Sequence, residues 1–256
     1  MRFVRYQENG KPHAHYGWVY NDLVGEIEGN IFGEFRRLEA NLPIYTVKLL
    51  PPVVPGKIIA CEWNYLDQIR EFDRMVSDMP TVFSKPVSSV IGMNDPIILP
   101  VVSKRVEQEC ELAVVIGRQA RGVPPDHAFD YIFGYTIAND VTARDLQLSD
   151  ETWTRAKGFD SFCPIGPVIE TDFEPADALL TCRVNGELRQ MASTRDMLFP
   201  VQNLIAYISS IMTLDPGDVI LTGTPVGTAL LSPGDVVESV IDGIGQLSNP
   251  VRAQAV

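Results

Sequence analysis

The sequence predicts an α+β fold that is mainly β: a β-rich domain with a few peripheral helices, preceded by a small N-terminal α/β unit. Three observations predict it. Short β-branched runs recur along the chain, bounded by Gly, Pro, Asn and Asp. The strand–helix rhythm of a doubly wound sheet is missing, and Gly223-Thr224-Pro225-Val226-Gly227 lacks the lysine and third glycine of a nucleotide loop. A proline-rich connector, Leu50-Pro51-Pro52-Val53-Val54-Pro55-Gly56, divides the chain into residues 1–52 and 53–256.

In chain order, residues 1–6, 15–20 and 22–27 alternate as short strands, separated by turns at Glu8-Asn9-Gly10 and Tyr20-Asn21-Asp22. Residues 31–39 carry helical spacing. After the connector, Lys57-Ile58-Ile59-Ala60-Cys61 is a buried-strand run, and residues 64–79 read as a polar helix stopped by Pro80. Strands are then expected at 81–84, 89–91, 97–99, 110–117, 132–139, 166–170, 179–184, 219–222 and 236–240. Helices are expected at 125–129, 145–149 and 200–212, the last with Pro200 in its first turn. Asp215-Pro216-Gly217-Asp218 and Ser232-Pro233-Gly234-Asp235 are tight turns feeding strands. No repeat or low-complexity segment interrupts the pattern.

The chain has 256 residues, 45% of them hydrophobic, enough for one large domain with a small appendage. Its formal net charge of -12 argues against nucleic acid and anionic membrane as partners, since both select clustered Lys and Arg. A small anionic substrate remains compatible, because a bound metal and a few local bases reverse the field locally. Cys61, Cys110, Cys163 and Cys182 match no zinc or redox spacing, so all four read as reduced thiols. The N-terminus alternates like a strand, and no apolar run approaches the roughly 18 residues of a membrane span. A cytoplasmic location is therefore expected.

Chemistry concentrates in two segments, Glu109-Cys110-Glu111-Leu112 and Asn139-Asp140-Val141-Thr142-Ala143-Arg144-Asp145. On a strand, residues i and i+2 share a face, so Glu109 and Glu111 stand side by side at the head of an apolar run. Two adjacent buried carboxylates call for a cation between them, and a hard divalent ion suits oxygen ligands. Asp140, ending the next apolar run, supplies a third. The plainer reading is a solvated strand face, whose parity Glu107 continues, and a helix cap at Asn139 or Thr142. Lys157 precedes a rigid segment, Gly158-Phe159-Asp160-Ser161-Phe162-Cys163-Pro164-Ile165-Gly166-Pro167, that reads as a pocket wall.

Seven motifs in order resemble the fumarylacetoacetate hydrolase family over nearly all of residues 53–256. They are Asn64-Tyr65, Phe83-Ser84-Lys85-Pro86, Glu109-x-Glu111-Leu112, Asn139-Asp140-x-x-Ala143-Arg144-Asp145-x-Gln147, Lys157-x-Phe159-Asp160-x-Phe162-Cys163-Pro164-x-Gly166-Pro167, Val184-Asn185-Gly186 and Leu221-x-Gly223-Thr224-Pro225. The resemblance implies a mixed β-sandwich roll, a homodimer, and Mg²⁺ or Mn²⁺ held by Glu109, Glu111 and Asp140. It places Lys157 among the catalytic residues, and Lys85, Arg144, Gln147 and Thr224 around the substrate. It implies a small 2-oxo or 1,3-dicarbonyl acid as substrate. For Thr224, a plain turn role stands beside the substrate role.

One departure bears on the reaction. The family commonly carries a histidine after Asn-Tyr and a glutamate three residues later, a pair that activates water. Here Gln68 stands at the histidine position and Glu71 at the glutamate. Glutamine does not titrate, and loss of a general base costs a hydrolase roughly 10²–10⁴ in rate. Of the histidines, His13 and His15 lie in the N-terminal unit and His127 in a connector. Decarboxylation or keto–enol isomerisation is therefore favoured. C–C hydrolysis of an acylpyruvate or fumarylpyruvate with Glu71 as base is the alternative, and a catalytically silent carboxylate-binding relative is the third reading. Residues 64–80, with Met75 and Met79, read as a lid.

Overall fold

The computed structural model describes residues 1–255. The chain begins with β1 (Arg2–Glu8), β2 (Ala14–Tyr20), β3 (Leu23–Gly29), β4 (Phe35–Pro43) and β5 (Val47–Leu50). Next come β6 (Ile58–Glu62), α1 (Leu66–Glu71), β7 (Thr81–Lys85), β8 (Val90–Ile91), β9 (Ile97–Leu99), β10 (Val106–Glu107) and β11 (Cys110–Ile116). A 3-10 segment at Pro125–Tyr131 leads into β12 (Ile132–Asn139), β13 (Thr142–Ala143), α2 (Arg144–Ser149), α3 (Thr154–Lys157) and β14 (Cys163–Glu170). The chain closes with β15 (Leu179–Val184), β16 (Glu187–Ser193), α4 (Val201–Ile211), β17 (Val219–Leu221), β18 (Val236–Ile241) and β19 (Gly245–Ala253).

The fold is mainly β, as the sequence predicts. A 12-stranded sheet runs β4-β3-β2-β1-β14-β12-β11-β17-β6-β7, with β5 on β1 and β8 on β14. A 5-stranded sheet, β16-β15-β18-β19-β9, packs against it. Leu112, Val114, Ile116 and Ile137 of the large sheet meet Leu180, Cys182, Val237 and Ile241 of the small one in the main core, with Leu204, Ile205 and Ile208 of α4. The opposite parity of the same strands builds a second core. There Ala113, Val115, Ala138, Val219, Ile58 and Ala60 join Phe3 and Ile27 of the first strands, so the large sheet curls back on itself as a roll. Strands buried on both faces read as unbroken apolar runs, which is why 110–117 and 132–139 are legible in the sequence.

Several elements differ from expectation. The helix expected over 31–39 is a turn at 31–34 followed by the start of the strand β4. Asn30 N–H bonds Glu34 O at 3.0 Å and the Asn30 side chain accepts from Phe32 N–H, closing a hairpin instead of a helical turn. Gly29, at φ 106°, allows it: a Cβ there would lie 2.5 Å from Glu34 O. The long helix expected over 64–79 is regular only as α1, because Phe72 N–H already turns back to the last carbonyls. Residues 125–129 form 3-10 rather than α turns. Strands β16 and β19 carry too many polar residues to be visible in the sequence. No helix among the described residues is long and apolar enough to cross a membrane.

The β6–α1 connection is pinned by Asn64. Its Nδ2 donates to Thr222 O at 2.7 Å and Phe199 O at 3.0 Å, and its Oδ1 accepts from Phe199 N–H at 2.7 Å. Replacing a fully buried amide with a methyl group strands these partners. Asn64→Ala is expected to destabilise the protein by about 1–3 kcal/mol in urea denaturation, with unchanged cooperativity.

Candidate metal centre and active site

The site grows from one cross-strand arrangement. β11 and β12 pair antiparallel with Cys110 opposite Asn139 and Glu111 opposite Ala138, and Asp140 N–H bonds Glu109 O at 2.8 Å. Glu109, Glu111 and Asp140 therefore project together into the second core, on the parity of Ala113 and Ala138. Their carboxylate oxygens lie within 4.8 Å of one another, and all three side chains are buried. The solvated-face reading of the Glu-x-Glu pair does not hold.

Three buried cations come to them from separate elements. From α3, Lys157 Nζ lies 2.7 Å from both Glu109 Oε2 and Asp140 Oδ2. From β7, Lys85 Nζ lies 2.6 Å from Asp140 Oδ1 and donates to Lys157 O at 2.6 Å. From α2, Arg144 bonds Glu107 Oε2 at 2.8 Å, Glu109 Oε1 and Gln147 Oε1. Phe72, just after α1, covers the Arg144 guanidinium, whose carbon lies 5.1 Å from the ring centroid. Burial alone would raise the Glu109 carboxyl, but Lys157 and Arg144 outweigh it and hold it down at about 2. Burial opposes charge on Lys157 too, yet Asp140, Glu109 and Glu62 keep it firmly protonated.

Glu111 is the exception. Its Oε2 accepts from Gly223 N–H at 2.7 Å, and among the described residues no cation is bonded to it. Gly223 is required at that point: its φ is 94°, and a Cβ would lie 2.7 Å from Asn64 Cβ. Burial, then Asp140 and Glu109, push the Glu111 carboxyl well above the usual range. Five buried carboxylates (Glu62, Glu107, Glu109, Glu111, Asp140) thus face three buried cations (Lys85, Arg144, Lys157), with Arg105 reaching only Glu107 from the surface. An all-oxygen donor set in which buried carboxyl groups outnumber buried cations fits a hard divalent cation such as Mg²⁺ or Mn²⁺.

The remaining candidates are placed as follows. Gln147 is buried, accepting from Arg144 and donating to Glu62 Oε2 at 3.2 Å. Thr224 is buried, donating to Cys110 O and accepting from Gln190 Nε2, both at 2.8 Å. Lys85 and Arg144, expected beside the substrate, are bonded to Asp140 and to Glu107 and Glu109 respectively. Gln68 is fully buried in α1, and neither of its amide atoms has a hydrogen-bond partner. Glu71 is exposed at the end of α1. One residue escaped the sequence reading: Glu62, buried at the end of β6, 3.4 Å from Lys157 Nζ. A carboxylate closing a fully apolar strand was its signal. Burial raises it, Lys157 opposes and Glu109 adds, leaving it at about 7.

The family model described as fumarylacetoacetate (FAA) hydrolase C-terminal matches residues 57–252, and one described as Rv2993c-like, N-terminal matches residues 1–52. A mitochondrial oxaloacetate tautomerase of Xenopus laevis is 42% identical over 287 aligned positions, covering 98% of this chain and 90% of the relative. The crystal structure of a 2-hydroxyhepta-2,4-diene-1,7-dioate isomerase from Mycobacterium marinum superposes with a TM-score of 0.92 at 40% identity, covering all of both chains. A maleylpyruvate hydrolase from Sphingobium sp. SYK-6, solved with manganese(II) and pyruvate, superposes at 0.82 with 30% identity, again over both chains.

Two outcomes follow from the charge arrangement. Lys157→Met leaves Glu109 and Asp140 without their shared cation and is expected to cost about 3–5 kcal/mol in urea denaturation under EDTA. Burial favours the protonated form of Glu111, with which an entering cation would compete. Calorimetric titration of metal-free protein with Mn²⁺ is therefore expected to show proton release and an affinity that falls as pH is lowered.

Proposed function

The chain belongs to the fumarylacetoacetate hydrolase family, and from that premise we propose that it is a divalent-metal enzyme interconverting the keto and enol forms of a small 2-oxo acid. The observation that carries the reading is Glu111, a buried carboxylate with no cationic partner beside Glu109 and Asp140. Likeness to a tautomerase and an isomerase supports the reaction type, and likeness to a manganese-bound hydrolase supports the metal.

Glu109, Glu111 and Asp140 would hold Mg²⁺ or Mn²⁺, which when bound supplies a Lewis acid that polarises a 2-oxo carbonyl. Lys157 adds a fixed positive charge where negative charge develops on the substrate oxygen. Arg144 and Lys85 keep Glu109 and Asp140 oriented, since each occupies one carboxylate oxygen. The unpartnered amide of Gln68 offers both a donor and an acceptor to a substrate oxygen or a water.

C–C hydrolysis of an acylpyruvate-type substrate is the second reading, favoured by the likeness to maleylpyruvate hydrolase. It requires activated water, and in α1 the untitratable Gln68 is buried while Glu71 faces solvent. The two readings separate in one assay series. Wild-type protein with Mg²⁺ is expected to interconvert keto and enol oxaloacetate and to cleave acylpyruvates at least ~10²-fold more slowly. EDTA and Glu111→Gln each abolish the interconversion; an unchanged rate under both would reject the metal role. Gln68→His is expected to raise acylpyruvate cleavage relative to oxaloacetate interconversion, by chromatographic product analysis.

A further inference from the structure

Glu62 enters the roll beside the three metal candidates. It ends β6 on the parity of Ile58 and Ala60, the face that also carries Glu111 and Asp140. Trp63 follows in the left-handed region, at φ 59°, and Asn64 locks the chain beyond it, so the Glu62 side chain is aimed by a fixed backbone. Its two contacts converge on one oxygen: Gln147 Nε2 at 3.2 Å and Lys157 Nζ at 3.4 Å both meet Oε2. Among the described residues no donor reaches Oε1. The contact to Lys157 is long beside the 2.7 Å that ammonium makes to Glu109 and Asp140. The carboxylate is held at one end and open at the other.

The charged groups facing it are Lys157 from α3, Arg144 from α2, Glu109 ahead of β11 and Asp140 after β12, with neutral Gln147 from α2. None of the elements that meet it supplies a histidine. The balance of burial, cations and carboxylates sets Glu62 in the range where one group both accepts and returns a proton near neutral pH.

Resting on the keto–enol reading above, we propose that Glu62 is the catalytic acid–base of this site, its open carboxylate oxygen taking a proton from the carbon next to the substrate's keto group. The C–H bond breaks, its electron pair becomes the new carbon–carbon π bond, and the carbonyl π pair moves onto oxygen. The proton rests on Glu62. Return to the same carbon regenerates the ketone; alternatively water protonates the oxyanion to give the enol, and Glu62 then releases its proton to the resulting hydroxide. Glu62 thereby takes the part that Gln68 cannot play.

The test follows deuterium uptake at C3 of pyruvate in D₂O by NMR, using the Mg²⁺-loaded protein. Wild type is expected to exchange, with a rate that falls as pH drops through the inflection of the buried Glu62 carboxyl. Glu62→Gln is expected to lose about 100-fold or more of the exchange and its inflection, while binding Mn²⁺ within about threefold of wild type by calorimetry. Glu62→Asp keeps a reduced rate with a displaced inflection, and it decides the matter if the Gln variant does not fold. Wild-type exchange and an unmoved inflection in either variant overturn the assignment of Glu62 and leave the keto–enol reading standing. A wild-type protein that binds Mn²⁺ yet exchanges no proton on pyruvate or oxaloacetate overturns both.

Discussion

The structure is organised around carboxyl groups that it buries in greater number than the cations that meet them. Taking a carboxylate out of water costs several kcal/mol unless opposite charge and hydrogen bonds meet it. Glu109 and Asp140 are met by Lys157, Lys85 and Arg144, but among the described residues Glu111 receives only a backbone N–H. The cations explain otherwise weak elements. α2 has 6 residues and α3 has 4, too short to stand alone, and the ion pairs of Arg144 and Lys157 tie both to the sheet. The small β10–β13 ladder places Glu107 beside the start of α2, where Arg144 meets it.

The parts legible in the sequence are those where local pattern and tertiary role agree. The runs 110–117 and 132–139 are apolar on both faces because they lie between two cores, and the strand parity of Glu109 and Glu111 survives folding intact. What was not legible depends on partners distant in sequence. Residues 35–43 carry helix-compatible residues, but the Asn30 turn and β3 make them an edge strand. Pairing of β1 with β14, which joins the first strands to the large sheet, leaves no local mark. The carboxylate contacts of Lys85 and Arg144 span 35 to 55 positions of sequence and leave no local mark. Glu62 reads as the polar end of a strand until the fold sets it against Lys157.

Gln68 and Glu62 tell one story from two sides. A glutamine buried without partners cannot supply the acid–base step that a histidine would, but it can hold a substrate or water oxygen. A carboxylate poised near neutrality lies four residues before α1, at the end of the strand that leads into the connection Asn64 fixes. Transfer of titratable character from helix to strand suits a reaction that moves one proton and breaks no carbon–carbon bond. In the proposed reading, the carboxylate trio would set which charge is stabilised and Glu62 would set which proton moves.

Glu109, Glu111 and Asp140 are proposed to form one divalent-cation site. Anomalous diffraction from a crystal grown with Mn²⁺ and oxalate tests it most directly. A single manganese peak bounded by these three carboxylates is expected, with oxalate on the same ion. A fully formed site with no peak, or a peak elsewhere in the molecule, would contradict it.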